Sequence, residues 1–386
     1  RGCTQQSGLV PSLLLGCLFP HWLGVKKSGV NMDIDQLISE VNELKGEYKK
    51  SNDLKLLNVL ILQLQQLLQH ADLTPEQRPA ILSNLGLYLD ERYSRLGSLA
   101  DLERALEVYQ QAVALTPEDN PDRPGRLNNW GIALRERYSR LGSLADLERA
   151  LEVYQQTIAL TPEGSPDRPG RLNSWGNALY QRYRRLGSLA DLERALEVYQ
   201  QAVALTPEDS PTRPGCLNNW GIALHERYAR LGSLADLEKA LDLFQQAVAL
   251  TPEGRPERPG YLSNWGNALS DRFKRLGNLA DLEKALDLFQ QAVALTPEGS
   301  LERPGYLSNW GNALSDRFKR LGSLADLEKA LEVHQQAVAL TPENSPDRAG
   351  RLNSWGNGLR ERYSRLGSLA DLERALEVYQ QAVALT

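Results

Sequence analysis

The sequence predicts an all-α protein, a right-handed superhelical α-solenoid built from tandem antiparallel helix pairs. Trp130 and Trp175 mark one position in successive copies of a segment that returns every 45 residues, and a period of roughly 20 to 50 residues is typical of a solenoid or similar array. Within each copy, apolar residues recur at spacings of three or four, the helical period. No segment shows the alternation of a strand. Trp220, Trp265, Trp310 and Trp355 continue the series.

Residues 1–31 are predicted to be a leader outside the fold. The only methionine of the chain is Met32, which we expect to be the natural start. The apolar run in the leader is broken by Pro11 and Pro20 and is too short for a membrane-spanning helix, which needs about 20 apolar residues. Three interpretations stay open: translated upstream sequence or an expression artefact, a real but disordered leader, and a targeting signal.

Residues 32–78 are predicted to form a degenerate helical pair that caps the array. Leu37, Val41 and Leu44 fall at helical spacing, and a second, almost wholly apolar helix is expected from about Asp53. Terminal repeats of an array are commonly atypical because they shield its end. Residues 79–386 then contain seven regular copies, in the first of which Leu85 replaces the tryptophan.

Each regular copy predicts two helices, A and B. In the copy from residue 122 to 162, Asp122 is expected to cap helix A and Gly142 to end it, since glycine adopts the left-handed conformation readily. Ser143 and Asp146 resemble a capping box for helix B. Thr161 and the proline after it end that helix. The short turn between the two helices allows only an antiparallel hairpin.

The composition argues against several classes of protein. The net charge is −5, and basic residues alternate with acidic ones, whereas a nucleic-acid reader carries a clustered basic surface. Cys3, Cys17 and Cys216 build neither a disulfide framework nor a metal site, which favours a reducing, cytoplasmic setting. No nucleophile triad, metal-ligand spacing or phosphate-binding loop is present, so we predict no catalytic residue, no cofactor, no metal and no membrane partner.

The small and large positions of the hairpin resemble the tetratricopeptide repeat. Trp175-Gly176, Ala195, Tyr199, Ala202 and Pro207 occupy that family's positions at its intervals. The likeness covers residues 79–386, although each copy is eleven residues longer than the usual thirty-four. It implies that helix A lines a concave face. Long copies of this kind resemble arrays found beside CHAT-type signalling proteins.

Two positions on helix A, three residues apart, carry mostly asparagine. Amide side chains offer a donor and an acceptor, so such a ladder could hold the backbone of an extended peptide. The alternative is that the amides bond to one another. The residues predicted to bind peptide are Asn129, Asn177, Asn219, Asn264, Asn267, Asn309, Asn312 and Asn357.

Two further rows run along helix A. An acidic row suits a basic partner, unless each acid pairs with an arginine four residues on. A variable row is either a determinant of selectivity or the result of drift. The acidic row is Glu136, Gln181, Glu226, Asp271, Asp316 and Glu361. The variable row is Arg135, Tyr180, His225, Ser270, Ser315 and Arg360.

The sequence therefore predicts a non-enzymatic scaffold that binds a peptide or protein segment in its concave groove. The rival interpretation is a regulatory fragment of a larger signalling enzyme, of the CHAT protease or signalling ATPase type, whose effector domain follows Thr386.

Overall fold

A computed structural model describes residues 33–385; the predicted leader, Met32 and Thr386 lie outside the described residues. Those residues form helices in consecutive pairs and contain no strand, so the all-α prediction is confirmed for them. Helices α1–α4 form one compact unit and helices α5–α16 a second, which begins at Thr116. The helices are α1 Ile34–Ser51, α2 Leu54–Leu68, α3 Arg78–Leu96, α4 Leu99–Ala114, α5 Arg123–Leu141, α6 Leu144–Leu160, α7 Arg168–Leu186, α8 Leu189–Leu205, α9 Arg213–Leu231, α10 Leu234–Ala249, α11 Arg258–Leu276, α12 Leu279–Leu295, α13 Arg303–Leu321, α14 Leu324–Ala339, α15 Arg348–Leu366 and α16 Leu369–Val383.

The helix ends follow the sequence only in part. Gly142 closes α5 with φ of 71°, and its N–H donates to the Tyr138 carbonyl. Asp122 does not cap α5 with its side chain but accepts a hydrogen bond from Arg126 at 3.0 Å, so that expectation is wrong. Ser143 makes no side-chain cap either. Glycine ends a helix by backbone conformation alone, whereas a polar cap can be drawn away by a guanidinium.

A glycine on helix A lies directly under an aromatic ring of helix B in each regular copy. A Cβ on Gly266 would stand 2.7 Å from the Phe289 ring, closer than real contacts allow. The same relation holds between Gly176 and Tyr199. Because glycine has no side chain, the two helices approach closely enough to bury the ring, and Phe289 is 1% exposed.

An arginine of helix A and an aspartate of helix B form a second link within each hairpin. Arg182 Nε donates to Asp191 Oδ2 at 2.9 Å while Nη2 donates to Oδ1 at 2.5 Å, and the carboxylate is nearly buried. A bidentate pair of this kind fixes orientation as well as distance. The arginine therefore binds the aspartate at the position that the sequence predicted for a capping box. The other pairs are Arg92–Asp101, Arg137–Asp146, Arg227–Asp236, Arg272–Asp281, Arg317–Asp326 and Arg362–Asp371.

In the second unit, the first residue of a helix A holds the end of the preceding helix B. Arg213 Nη1 donates to the Val203 carbonyl at 3.0 Å and to the Thr206 carbonyl at 2.5 Å. Carbonyls at a helix C-terminus lack partners within the helix and attract cations. Arg168, Arg258, Arg303 and Arg348 make the equivalent bonds. These contacts repeat the same geometry from copy to copy.

Candidate functional site

The helices A of the second unit form one continuous layer, which we call the helix A layer. It consists of α5, α7, α9, α11, α13 and α15, and each contacts the next helix of the layer, whereas consecutive helices B of this unit do not meet. Side chains on adjacent helices A can therefore reach one another. The predicted asparagines, the acidic row and the variable row of copies two to seven all lie on this layer.

The asparagine side chains one residue before the tryptophan form hydrogen bonds between neighbouring helices A. Asn264 Nδ2 donates to Asn218 Oδ1 at 2.9 Å, and Asn309 Nδ2 donates to Ser263 Oγ at 3.1 Å. Asn219 Nδ2 donates to the Oδ1 atoms of Asn173 and Asn177, both at 3.1 Å. Each bond joins one copy to the next. Asn129, at the same position, is half-buried.

The amides one residue after the glycine differ among copies. Asn177 accepts from the Tyr199 hydroxyl at 2.7 Å, and Asn357 from the Tyr379 hydroxyl at 2.8 Å. The residues that correspond to those tyrosines for Asn267 and Asn312 are Phe289 and His334, which carry no hydroxyl. Asn312 and Asn357 are exposed, while Asn267 is half-buried. Asn312 and Asn357 are therefore the amides of the predicted set most open to a ligand.

Two members of the acidic row pair with a lysine three residues on, and not with the arginine four residues on that the sequence predicted. Asp271 lies 3.2 Å from Lys274 Nζ, and Asp316 lies 3.8 Å from Lys319 Nζ, in each case three residues on. Three residues separate side chains on a helix about as closely as four do. The lysine reaches the acid, so the expected arginine pairing is wrong for these two copies.

The acidic row also meets the variable row of the copy before it. His225 Nε2 lies 2.9 Å from Asp271 Oδ2, and the Tyr180 hydroxyl donates to Glu226 at 3.4 Å. Burial acts to raise the pKa of the Asp271 carboxyl, but the hydrogen bond from His225 and the charge of Lys274 bring that pKa below its ordinary value. Burial raises the pKa of Tyr180, and Glu226 raises it further.

Two cavities open on the helix A layer where the variable row carries serine. One, of about 320 Å³, is lined by His225, Ser270, Asp316 and neighbours. The other, of about 350 Å³, is lined by Ser315, Asn357, Glu361 and neighbours. Lys274, Asn312 and Asp316 line both, so the two cavities adjoin. Sequence reasoning named these serines only as variable; their short side chains were the signal.

The repeated tryptophans are part of the packing rather than a binding surface. Trp130, Trp175 and Trp355 are buried, and Trp220, Trp265 and Trp310 are half-buried. A cation of helix B lies over each ring, for example the Arg194 guanidinium 5.0 Å from the Trp175 ring centre. Such stacking stabilises a ring that is not fully covered by apolar neighbours. The other cations are Arg149, Lys239, Lys284, Lys329 and Arg374.

Two titratable side chains, His334 and Cys216, are buried in the second unit. His334 packs on Gly311 in the place of an aromatic ring, is 1% exposed, and borders the larger cavity. Burial lowers its pKa to about 4, because the uncharged imidazole is favoured away from water. Burial likewise raises the pKa of the Cys216 thiol, which disfavours the reactive thiolate.

The described residues offer no group of three metal-ligating side chains, and no helix among them is long and apolar enough to cross a membrane.

A family model described as "Tetratricopeptide repeat" matches residues 80–122, 171–211 and 305–347. These three segments carry the tetratricopeptide repeat pattern. The unmatched copies show the same helix pair, the same glycine under an aromatic ring and the same arginine–aspartate link. Repeats of this family commonly serve protein–protein interaction, which supports a role as an interaction scaffold. Its association with CHAT-type proteins and its cytoplasmic location stay predictions.

Several solved structures with tetratricopeptide-like repeats are similar. The "nearly identical TPR-like repeats" of a kinesin light chain-type protein from Podospora anserina are 20% identical, covering 56% of this chain and 95% of that one, with a TM-score of 0.41. MamA from Desulfovibrio magneticus RS-1 is 22% identical over 55% and 94%, with a TM-score of 0.38. YrrB, described as a TPR protein with an unusual peptide-binding site, is 17% identical over 61% and 92%, with a TM-score of 0.36. No curated protein matches.

Proposed function

We propose that this scaffold binds an extended peptide segment of a partner protein on the helix A layer, along helices α9 to α15. The observation that supports this proposal is the pair of adjoining cavities, which present the exposed amides of Asn312 and Asn357 beside them. A carboxamide can both donate to and accept from a peptide backbone, so it recognises an extended chain whatever its side chains.

Of the eight asparagines predicted to bind peptide, the structure favours two as ligand contacts. Asn219, Asn264 and Asn309 already donate across helix boundaries. Recruiting them for a ligand would leave the acceptors of those bonds unpaired, which is costly for half-buried groups. Asn312 and Asn357 can bind a ligand without breaking a bond of this kind. The hydrogen bond of Asn357 is one that its Oδ1 atom accepts, so the amide N–H groups of both residues stay available as donors. We therefore assign the main backbone contacts to these two residues.

The test begins with selection of binders from a random library of displayed 12-residue peptides, using the full chain as target. The affinity of a selected peptide is then measured by calorimetry for the wild type and for Asn312→Ala with Asn357→Ala. We expect the double variant to bind at least about tenfold more weakly, since two backbone contacts of roughly 1 kcal/mol each would be lost.

The matched control is Gln291→Ala with Gln336→Ala. These amides are exposed on helices α12 and α14 and bond only to acids of their own helix. The control should leave the affinity unchanged, and circular dichroism should show equal helicity in all three proteins. A library that yields no binder, or a binder that ignores both double variants alike, would refute the proposal.

A further inference from the structure

We infer that the bound peptide carries a basic side chain that enters the cavity between Ser270 and Asp316, a position that His225 occupies against Asp271 one copy earlier. This inference rests on the proposed function and specifies the chemistry of its ligand. Four observations on the helix A layer support it, and each concerns a different property of the site.

The chain itself contains the template for such a contact. His225 on α9 reaches across to α11, where its Nε2 atom lies 2.9 Å from Asp271 Oδ2. One copy earlier, the Tyr180 hydroxyl reaches Glu226 in the same register, 46 residues on. In both copies a hydrogen-bond donor from the variable row fills the space in front of the acid of the next helix.

The next copy retains the acid but lacks the donor. Ser270 stands where His225 stood, Asp316 where Asp271 stood, and a cavity of about 320 Å³ is lined by both residues. A serine side chain is too short to reach the facing helix. The volume that the imidazole fills in one copy is therefore open in the next. The same replacement recurs at Ser315, which lines the second cavity together with Glu361.

Ser270 supplies an independent indication of a ligand. The residue is 8% exposed, and its Oγ atom is buried without a hydrogen-bond partner. A buried hydroxyl without a partner costs free energy, so buried polar groups almost always have one. An ammonium or guanidinium that enters the cavity beside Asp316 would offer this hydroxyl the partner that it lacks, once the serine side chain turns towards it.

The charges around the cavity favour a cation. Asp316 has only a loose ion pair, at 3.8 Å, with a Lys319 side chain that is 63% exposed, and pairs of that kind contribute little. Lys274 also lines the cavity, but its Nζ atom lies 3.2 Å from Asp271, which offsets its charge. An incoming basic group would therefore meet a half-buried carboxylate that no strong partner holds.

The repeat geometry also sets a spacing. The two serine positions lie on adjacent helices of the layer, and packed helices are about 8–10 Å apart. A peptide in the polyproline II conformation advances about 3.1 Å per residue with three residues per turn, so every third side chain returns to the same face. Two basic residues three positions apart would thus address Asp316 and Glu361 in turn.

The probes are fluorescein-labelled 12-residue peptides of serine and alanine that contain two lysines three positions apart, two glutamines in their place, or two glutamates. Binding to the full chain is followed by fluorescence anisotropy at 0.02 and 0.15 M salt, with protein titrated to about 1 mM. We expect the lysine peptide to bind at least about tenfold more tightly than the glutamine peptide and the glutamate peptide not to bind.

Three variants test the pocket itself. Asp316→Asn removes the charge without changing size and should weaken lysine-peptide binding about five- to tenfold. Ser270→His should fill the cavity with an imidazole, as His225 does one copy earlier. It should weaken lysine-peptide binding to a similar extent although Asp316 is unchanged. His225→Ser should open a third pocket and strengthen binding of a peptide with three lysines, each three positions from the next, about threefold. Asp287→Asn, on the exposed face of α12, is the matched control and should change nothing.

The outcomes separate the inference from the function on which it rests. If library-selected peptides depend on Asn312 and Asn357 but show no preference for lysine and no response to Asp316→Asn or Ser270→His, the basic pocket is wrong and the peptide scaffold stands. If neither the library nor the lysine peptides yield binding, both are wrong.

Discussion

Two stretches of the helix A layer have the same backbone frame but different surfaces. In the filled stretch, on α7 and α9, Tyr180 and His225 reach the acid of the following helix. In the open stretch, on α11 and α13, Ser270 and Ser315 stop short of it and cavities remain. One side chain per copy thus decides whether a place on the layer is closed by the protein itself or left for a ligand. The array varies its surface without altering its fold.

The frame shared by both stretches rests on three contacts in each copy. These are the glycine under an aromatic ring, the bidentate arginine–aspartate link within the hairpin, and the arginine that holds the end of the preceding helix B. None of them involves the variable row. Changes in that row can therefore accumulate with little effect on the stability of the hairpins.

The largest effect is expected from breaking the arginine–aspartate link equally in the two stretches. Asp191→Ala in the filled stretch and Asp326→Ala in the open stretch should each lower the free energy of unfolding by about 2–3 kcal/mol, because each leaves a partly buried guanidinium without its bidentate carboxylate. Urea unfolding followed by circular dichroism measures both.

The control for this pair is Glu197→Ala, which removes an exposed ion pair with Arg194 and should cost less than about 0.5 kcal/mol. Costs for Asp191→Ala and Asp326→Ala that differ by more than the error of the measurement would show that the frame is not the same in the two stretches.

A smaller effect, dependent on pH, is expected at His334 beside the open stretch. Its pKa of about 4 in the folded protein lies below the ordinary value of about 6.5, so the unfolded chain binds more protons between these values. Stability should fall as the pH drops from 6.5 towards 4. His334→Phe removes this loss and should gain about 2 kcal/mol more at pH 4.5 than at pH 7.5.

Thermal unfolding of wild type and His334→Phe at the two pH values provides the measurement. Tyr199→Phe is the control, because it changes the corresponding ring of another copy without adding or removing a group that titrates in this range. An equal gain at both pH values would mean that His334 is not held uncharged by burial.

The smallest effect should distinguish the amides of the frame from those open to a ligand. Asn264→Ala leaves the side-chain Oδ1 atom of Asn218, a residue 6% exposed, without its donor, and should cost about 1–2 kcal/mol. Asn312→Ala, at an exposed position, should cost less than about 0.5 kcal/mol. Unfolding in urea compares them, and a larger cost for Asn312→Ala would contradict the division.

The helical array was predictable from local patterns. Leu127, Trp130 and Leu134 fall at helical spacing, and Gly142 ends α5 in the left-handed conformation that was expected. The caps were less predictable. Asp122 and Asp146 each had a plausible local role, but an arginine four residues on and another nine residues back took the two carboxylates. Competition between partners cannot be ranked without knowing where the guanidinium groups lie.

The sequence by itself determined the period, the helix pairs, their ends at glycine, and the rows of residues that share one face, because these depend on neighbours along the chain. Only the tertiary structure decided that Asn264 serves the frame, that Asp271 meets His225, and that Ser270 faces a cavity. Those contacts join residues about one copy apart. They depend on how far each hairpin is displaced and rotated relative to the last, a quantity that side-chain packing sets and that no spacing in the sequence encodes.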